Sequence, residues 1–185
     1  MLFRSAMLAG RIERALGGTG ETHFKQAVAA LGERGDVHMR MLAQLDAALS
    51  MPAADAAAHC ASVQRMAEET EYLGIAAKAR LMRVQHLLRA EEAKLAAASL
   101  RDLPAHLDGV RPADTYPAEA WWIAHEVFTA AGDGAAAADA LGRGVDWIQR
   151  TALPNVPDEF KDSFLNRNPV NRSILTTASR RLPKS

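Results

Sequence analysis

Helical spacing of small and apolar residues, cut at short intervals by Gly, Pro or Asp, limits the folds open to this chain more than any other feature. Ala-rich segments place apolar side chains every three or four positions, and strand-like runs of alternating Val, Ile or Thr are absent. The pattern predicts an all-α chain. Breaks fall at Gly17 to Gly20, Gly35-Asp36, Met51-Pro52, Thr70, Ala90, Pro104 to Pro117, Gly132 to Gly134 and Pro154 to Pro157. They delimit eight main helices and then a smaller terminal pair.

Taken in twos, the helices form four hairpins, at about 2–32, 37–69, 71–103 and 118–150, with a terminal cap at 157–182. The hairpins begin about 35 residues apart, the period at which each helix pair buries a face against the next in a stacked array. Ala56, Cys60 and Val63 recur as Ala93, Ala97 and Leu100, and Ala137, Leu141 and Val145 fill the role in the fourth hairpin. Small residues there let the two helices of a hairpin approach closely. The first helices carry apolar stripes of their own: Leu42, Leu45 and Leu49; Leu81, Val84 and Leu88; Trp121, Ala124 and Phe128. The stripe of the first hairpin, Phe3, Met7 and Ile12, is weaker. With 185 residues the chain suits one core, so a single domain over 1–185 is expected.

Lys plus Arg and Asp plus Glu both number 22, so no global field draws the chain to nucleic acid or an anionic membrane. No apolar run approaches the length of a membrane span. The lone Cys60 cannot form an internal disulfide, and a reducing, cytoplasmic setting is expected. Arg4, Arg11 and Arg14 among apolar residues superficially suggest a targeting peptide, but Gly10, Arg11 and Glu13 interrupt it, which favours a first helix.

Residues that could carry chemistry do not converge. The six histidines are spread singly, with no Cys-x-x-Cys and no His-x-x-x-His, so no metal is expected. Gly17 to Thr22 lacks the Gly-Lys-Ser/Thr ending of a phosphate-binding loop and suits a hairpin turn. Glu68, Glu69 and Glu71 suit a charged helix junction, and Cys60 a packing position. No catalytic residue and no cofactor follow, and the chain is expected not to be an enzyme. The long connection from Pro104 to Pro117 is either a functional loop or slack; slack is preferred, since Ala105 to Asp108 could extend the preceding helix.

Trp121 and Trp122 face about 100° apart on a helix, so both are buried only if they serve different neighbours. Alternatively one of them lines a groove and anchors a partner. The inner surface of a hairpin array comes mainly from the first helix of each pair. Exposed candidates for a partner-binding groove are therefore Arg40, Gln44, Lys78, Gln85 and His125, together with Trp122.

The tail reads Pro157-Asp158-Glu159-Phe160-Lys161-Asp162-Ser163-Phe164-Leu165-Asn166-Arg167-Asn168-Pro169-Val170-Asn171-Arg172. It resembles the ending that closes tetratricopeptide-type arrays of large bacterial signalling proteins, roughly Pro-x-x-Phe-(Arg/Lys)-x-Ser-Phe-Leu-x-Arg-Asn-Pro-x-Asn-Arg. The likeness is strongest from Trp121 to Leu175 and extends back to Val37 only as a repeat pattern. It implies a right-handed α-solenoid, with Phe160, Phe164, Leu165, Ile174 and Leu175 covering the open end of the fourth hairpin. Arg167, Arg172, Arg180, Arg181 and Lys184 suit a solvated cap better than a phosphate-contacting tail. In the proteins it resembles, ATPase, winged-helix or nucleotidyl-cyclase domains lie upstream. Their activities do not transfer here, because the sequence has no phosphate-binding lysine loop.

The expected function is a non-catalytic protein–protein interaction scaffold in bacterial signalling or transcriptional control, with a protein or peptide partner and neither membrane nor direct nucleic-acid binding. The alternative is a sensory or autoinhibitory fragment of a multidomain regulator or nucleotidyl cyclase. That alternative predicts an exposed apolar end at Leu2, Phe3 and Met7, through which the chain would self-associate.

Overall fold

A computed structural model describes residues 2–32, 35–102, 107 and 109–181, without the side chains of Leu2 and Arg181. The expected helical extension through Ala105, His106 and Asp108 lies outside the described residues, as does Lys184. Among the described residues there are ten α-helices and no strand, and neighbouring helices pack against one another. The chain divides into two compact units, Met1–Glu92 and Ala93–Ser185. The expected hairpin at 71–103 therefore draws one helix from each.

The first unit holds α1 (Leu2–Ala15), α2 (Glu21–Leu31), α3 (Val37–Ala48), α4 (Ala53–Glu69) and α5 (Leu73–Arg89). α1 lies against α2 where Gly10 meets the Phe24 ring; a Cβ on Gly10 would stand 2.6 Å from Phe24 Cε1. α3 begins where the Asp36 carboxylate accepts a hydrogen bond from the Met39 N–H at 3.0 Å, a side-chain N-cap. Its buried face, Met41, Leu42, Leu45 and Ala48, packs between α2 and α4. Ala56, Cys60, Val63 and Ala67 of α4 are wholly or almost wholly buried, and α4 runs closely along α5. Small residues at those positions permit that approach. α1, α3 and α5 are also neighbours in turn, so the odd-numbered helices form one row. Arg11 of α1 reaches the buried Asp46 of α3 at 2.8 Å, and Arg14 donates to the Leu49 carbonyl.

The second unit holds α6 (Ala93–Leu100), α7 (Pro117–Ala130) and α8 (Gly134–Asp146), then α9 (Asp158–Asp162) and α10 (Pro169–Arg181). In α6 the sequence match to α4 is displaced: Ala96 and Leu100 are buried, whereas Ala93 and Ala97 are half-buried. Pro117 opens α7, and Asp133 caps α8 by accepting from the Ala136 N–H at 3.0 Å. α8 continues through a π-helical stretch, Trp147–Ala152, and a 3-10 turn, Leu153–Asn155. α9 likewise runs into a π-helical turn, Ser163–Arg167. α10 folds back on α7 and α8, and Ile174 and Ala178 join Ala118, Leu141 and Ile148 in one core. Gly144 makes room for this contact, since a Cβ there would meet Ile174 Cδ1 at 3.2 Å.

Four helix ends share one hydrogen-bonded turn. After α1, α4, α5 and α7, a left-handed residue (Gly17, Glu71, Glu91 or Gly132) is followed by an N–H that bonds back across the last turn. These bonds are Gly18 to Glu13 at 2.9 Å, Tyr72 to Ala67 at 2.8 Å, Glu92 to Leu87 at 2.9 Å and Asp133 to Phe128 at 2.9 Å. This is the Schellman closure, which satisfies carbonyls the helix leaves open. Glu71 thus shapes a turn, beyond being part of a charged junction.

Candidate functional site

The six groove candidates fall on three helices. Arg40 and Gln44 lie on α3 and Lys78 and Gln85 on α5, all in the first unit, while Trp122 and His125 lie on α7 in the second. The expectation that they are exposed needs correction. Lys78 retains 9% of its surface and His125 4%, and Arg40, Gln44, Gln85 and Trp122 are half-buried. Lys78 is buried within the packed helices, so a polar residue on a first helix does not thereby face solvent. His125 hydrogen-bonds through Nδ1 to the Ala137 carbonyl at 2.9 Å, holding α7 to α8. Trp122 lies 5.4 Å from the His125 ring, packs on the core that α10 completes, and borders a hollow shared with Arg172, Ser173 and Thr176.

Gln44 stands apart within the set. Its side-chain carbonyl is buried and has no hydrogen-bond partner among the described residues. Leaving such an acceptor unmet costs about 1–3 kcal/mol.

The tail motif proves to be a clasp. Asn171, fully buried, accepts a hydrogen bond from the Tyr116 hydroxyl at 2.9 Å and donates from Nδ2 to the Phe164 carbonyl at 2.8 Å. Asn168 caps α10, its side-chain oxygen accepting from the Val170 and Asn171 N–H groups at 3.0 and 3.1 Å. Asn168 thus holds the cap, and Asn171, three residues on, takes a long-range role. Burial raises the Tyr116 phenol above its ordinary pKa, against the lowering effect of its bond to Asn171. Tyr116 also meets the Trp147 ring edge-on at 5.2 Å, so one residue ahead of α7 ties together both later parts of the unit.

Burial pushes the Cys60 thiol up to about 12, which leaves it un-ionised and unreactive at neutral pH. Among the described residues no cluster of His, Cys, Asp or Glu could hold a metal ion, and no helix is long and apolar enough to cross a membrane.

The second unit contains a cleft of about 560 Å³ between α7, α8 with its π-helical continuation, and the residues Leu107, Gly109, Val110, Arg111 and Pro112. Arg111, Arg143 and Arg150 line it together with one carboxylate, Asp146, and two indoles, Trp121 and Trp147. The Arg143 guanidinium sits 5.4 Å from the Trp121 ring centroid and pairs with Asp139 at 3.0 Å. Arg150 pairs with Asp146 at 3.4 Å, both largely in solvent. Arg111 is exposed and makes no ion pair with any described residue. The sequence itself carries a signal for this cleft. Arg143, Asp146, Trp147 and Arg150 are spaced i, i+3, i+4, i+7 and so share one helix face.

The structure defines an all-helical protein of packed helix pairs. Compared with family models, with curated proteins and with solved structures, the chain matches none.

Proposed function

We propose that the chain is a non-catalytic interaction scaffold of the tetratricopeptide-repeat type, a right-handed solenoid of about four hairpins that works in the cytoplasm in bacterial signalling or transcriptional control. The supporting observation is the row formed by α1, α3 and α5, on which the polar residues Arg40, Gln44 and Gln85 keep part of their surface. Arg40 and Gln85 lie on the same two helices, α3 and α5, and extend the polar character of that row. Such a surface, held on packed helices, binds with little reorganisation.

Gln44→Leu and Gln85→Glu test this, with a partner identified by crosslinking and its affinity then measured by calorimetry. Both substitutions should weaken binding about tenfold or more while far-UV circular dichroism stays unchanged. Unchanged affinity in both variants would remove the groove. Lys78 is a poor probe, since reversing a buried charge would test folding instead.

A second reading, a sensory or autoinhibitory part acting on an attached catalytic domain, is favoured by one feature of α1. Leu8, Ile12 and Leu16 are 59%, 51% and 83% exposed and recur at four-residue steps. The expected apolar end at Phe3 and Met7 is displaced, because Met7 is buried and Phe3 is half-buried beneath Arg4.

A further inference from the structure

We propose that the arginine- and tryptophan-lined cleft of the second unit binds a nucleotide, a ligand that the scaffold reading does not include. Its volume, about 560 Å³, lies in the range of small-molecule sites, roughly 300–1,000 Å³. Among the described lining residues three guanidiniums stand against one carboxylate, and Asp139 pairs one of the three, so the local positive excess rests on Arg111 in a chain whose formal net charge is zero. Guanidinium presents paired N–H donors that match phosphate oxygens in a way a lysine ammonium cannot.

The pairing of Arg150 leaves it available for exchange. Arg150–Asp146 is a solvent-exposed i,i+4 pair, a weak kind of contact. Arg111, in the mouth of the cleft, meets no described carboxylate. A phosphate bridging Arg111 and Arg150 would therefore displace little.

The other two components select a nucleotide over a bare anion. Half-buried Trp147 supplies a flat apolar wall on which a base can stack. Asp146, one position before Trp147 and released from Arg150 when phosphate takes that guanidinium, accepts hydrogen bonds from sugar hydroxyls. The three chemistries of a nucleotide thus meet their complements on one helix face and the segment opposite. An acidic peptide is the competing occupant, since it would use the same arginines but has less need of an indole wall.

All three tryptophans lie in the second unit, so intrinsic fluorescence reports on it directly. Titration of the whole chain with adenosine and guanosine 5′-monophosphates, read by tryptophan emission and calorimetry, should show saturable binding of at least one of them. Arg111→Glu and Arg150→Glu, both surface substitutions, should each weaken it about tenfold or more, with the fold monitored by circular dichroism. Trp122→Phe, away from the cleft, should bind as the parent does. Four results would overturn the proposal: no binding at several millimolar of either nucleotide, affinity unchanged in both arginine variants, inorganic phosphate binding as tightly as the nucleotides, or a glutamate-rich peptide binding where the nucleotides do not. Scaffold binding through Gln44 is measured separately, so failure of either idea leaves the other standing.

Discussion

The two units handle their apolar and polar surplus in opposite ways. In the second, α10 folds over α7 and α8, buries Ile174 and is fastened by the neutral hydrogen bonds of Asn171. In the first, Leu8 and Ile12 of α1 and Leu16 just after it are uncovered, while the buried polar residues of the unit are Asp46, Lys78 and His86. The second unit's buried polar residues are His125 and Asn171, both hydrogen-bonded to groups of their own unit. A cap that buries Ile174 and is fastened by an amide lowers a unit's sensitivity to concentration and to mild acid, although Phe160, expected to help cover the open end, remains 56% exposed. An open face and buried ionisable groups make one sensitive to both.

The largest expected effect breaks the closure itself. Ile174→Ala deletes a fully buried side chain between α7, α8 and α10 and should cost the second unit roughly 2–4 kcal/mol. Asn171→Ala leaves the Phe164 carbonyl and the Tyr116 hydroxyl without a partner and should cost about 2 kcal/mol. Denaturant titrations followed by tryptophan emission read both. A midpoint within error of the parent in both variants would mean that α10 does not contribute to the unit's stability.

Acid should separate the units next. Burial, with Arg89 and then Arg14 adding to it, depresses the His86 imidazole from 6.5 to about 4, so the folded first unit holds it neutral. Below pH 6.5 the unfolded chain takes up the proton first, and stability falls as pH drops from about 6.5 toward about 4; above 6.5 this contribution is constant. The full loss is on the order of 3 kcal/mol. Circular dichroism should therefore show partial helix loss near pH 4 to 5 before tryptophan emission, which sees only the second unit, responds. His86→Gln should flatten that early step. Coincident transitions in the parent chain would contradict the contrast.

A smaller effect concerns concentration. Replacing Leu8, Ile12 and Leu16 with Ser should leave thermal stability nearly unchanged, since these side chains are already in water. If the parent self-associates in sedimentation velocity at high concentration, the triple variant should remain monomeric. Equal association in both would place the contact elsewhere.

How much of this was legible in sequence follows from the range of the interactions involved. Helix boundaries were, because Gly, Pro and Asp act within a residue or two, and the breaks at Met51-Pro52 and Gly132 to Gly134 coincide with helix ends. Burial of polar residues was not. Lys78 and His125 look like solvent-facing residues by spacing, and only their helical neighbours decide otherwise. The clasp was equally hidden, since Tyr116 and Asn171 lie 55 residues apart and neither type announces a partner. The cleft was half visible: the i, i+3, i+4, i+7 face of Arg143 to Arg150 is local, but Arg111 comes from the long connection that the sequence reads as slack.

The smallest effect sharpens the contrast at the backbone. Gly17 and Gly132 hold the left-handed position at φ 92° and 80°, whereas Glu71 and Glu91 hold the same position at 60° and 63° with a Cβ present. A side chain in that region costs about 1 kcal/mol relative to glycine, offset in part because glycine loses more entropy on folding. Glu71→Gly and Glu91→Gly should each therefore raise the first unit's stability by roughly 0.5 kcal/mol, without altering the Tyr72 to Ala67 or Glu92 to Leu87 hydrogen bonds. Gly132→Ala supplies the control for the second unit. A Cβ there would meet nothing within 4 Å, so its expected loss of about 1 kcal/mol isolates backbone strain from any clash. Should the glutamate variants instead lose stability while Gly132→Ala behaves as expected, the Glu71 and Glu91 side chains must make contributions larger than the strain they impose, and the repulsion between Glu91 and its neighbour Glu92 would be ruled out as a significant term.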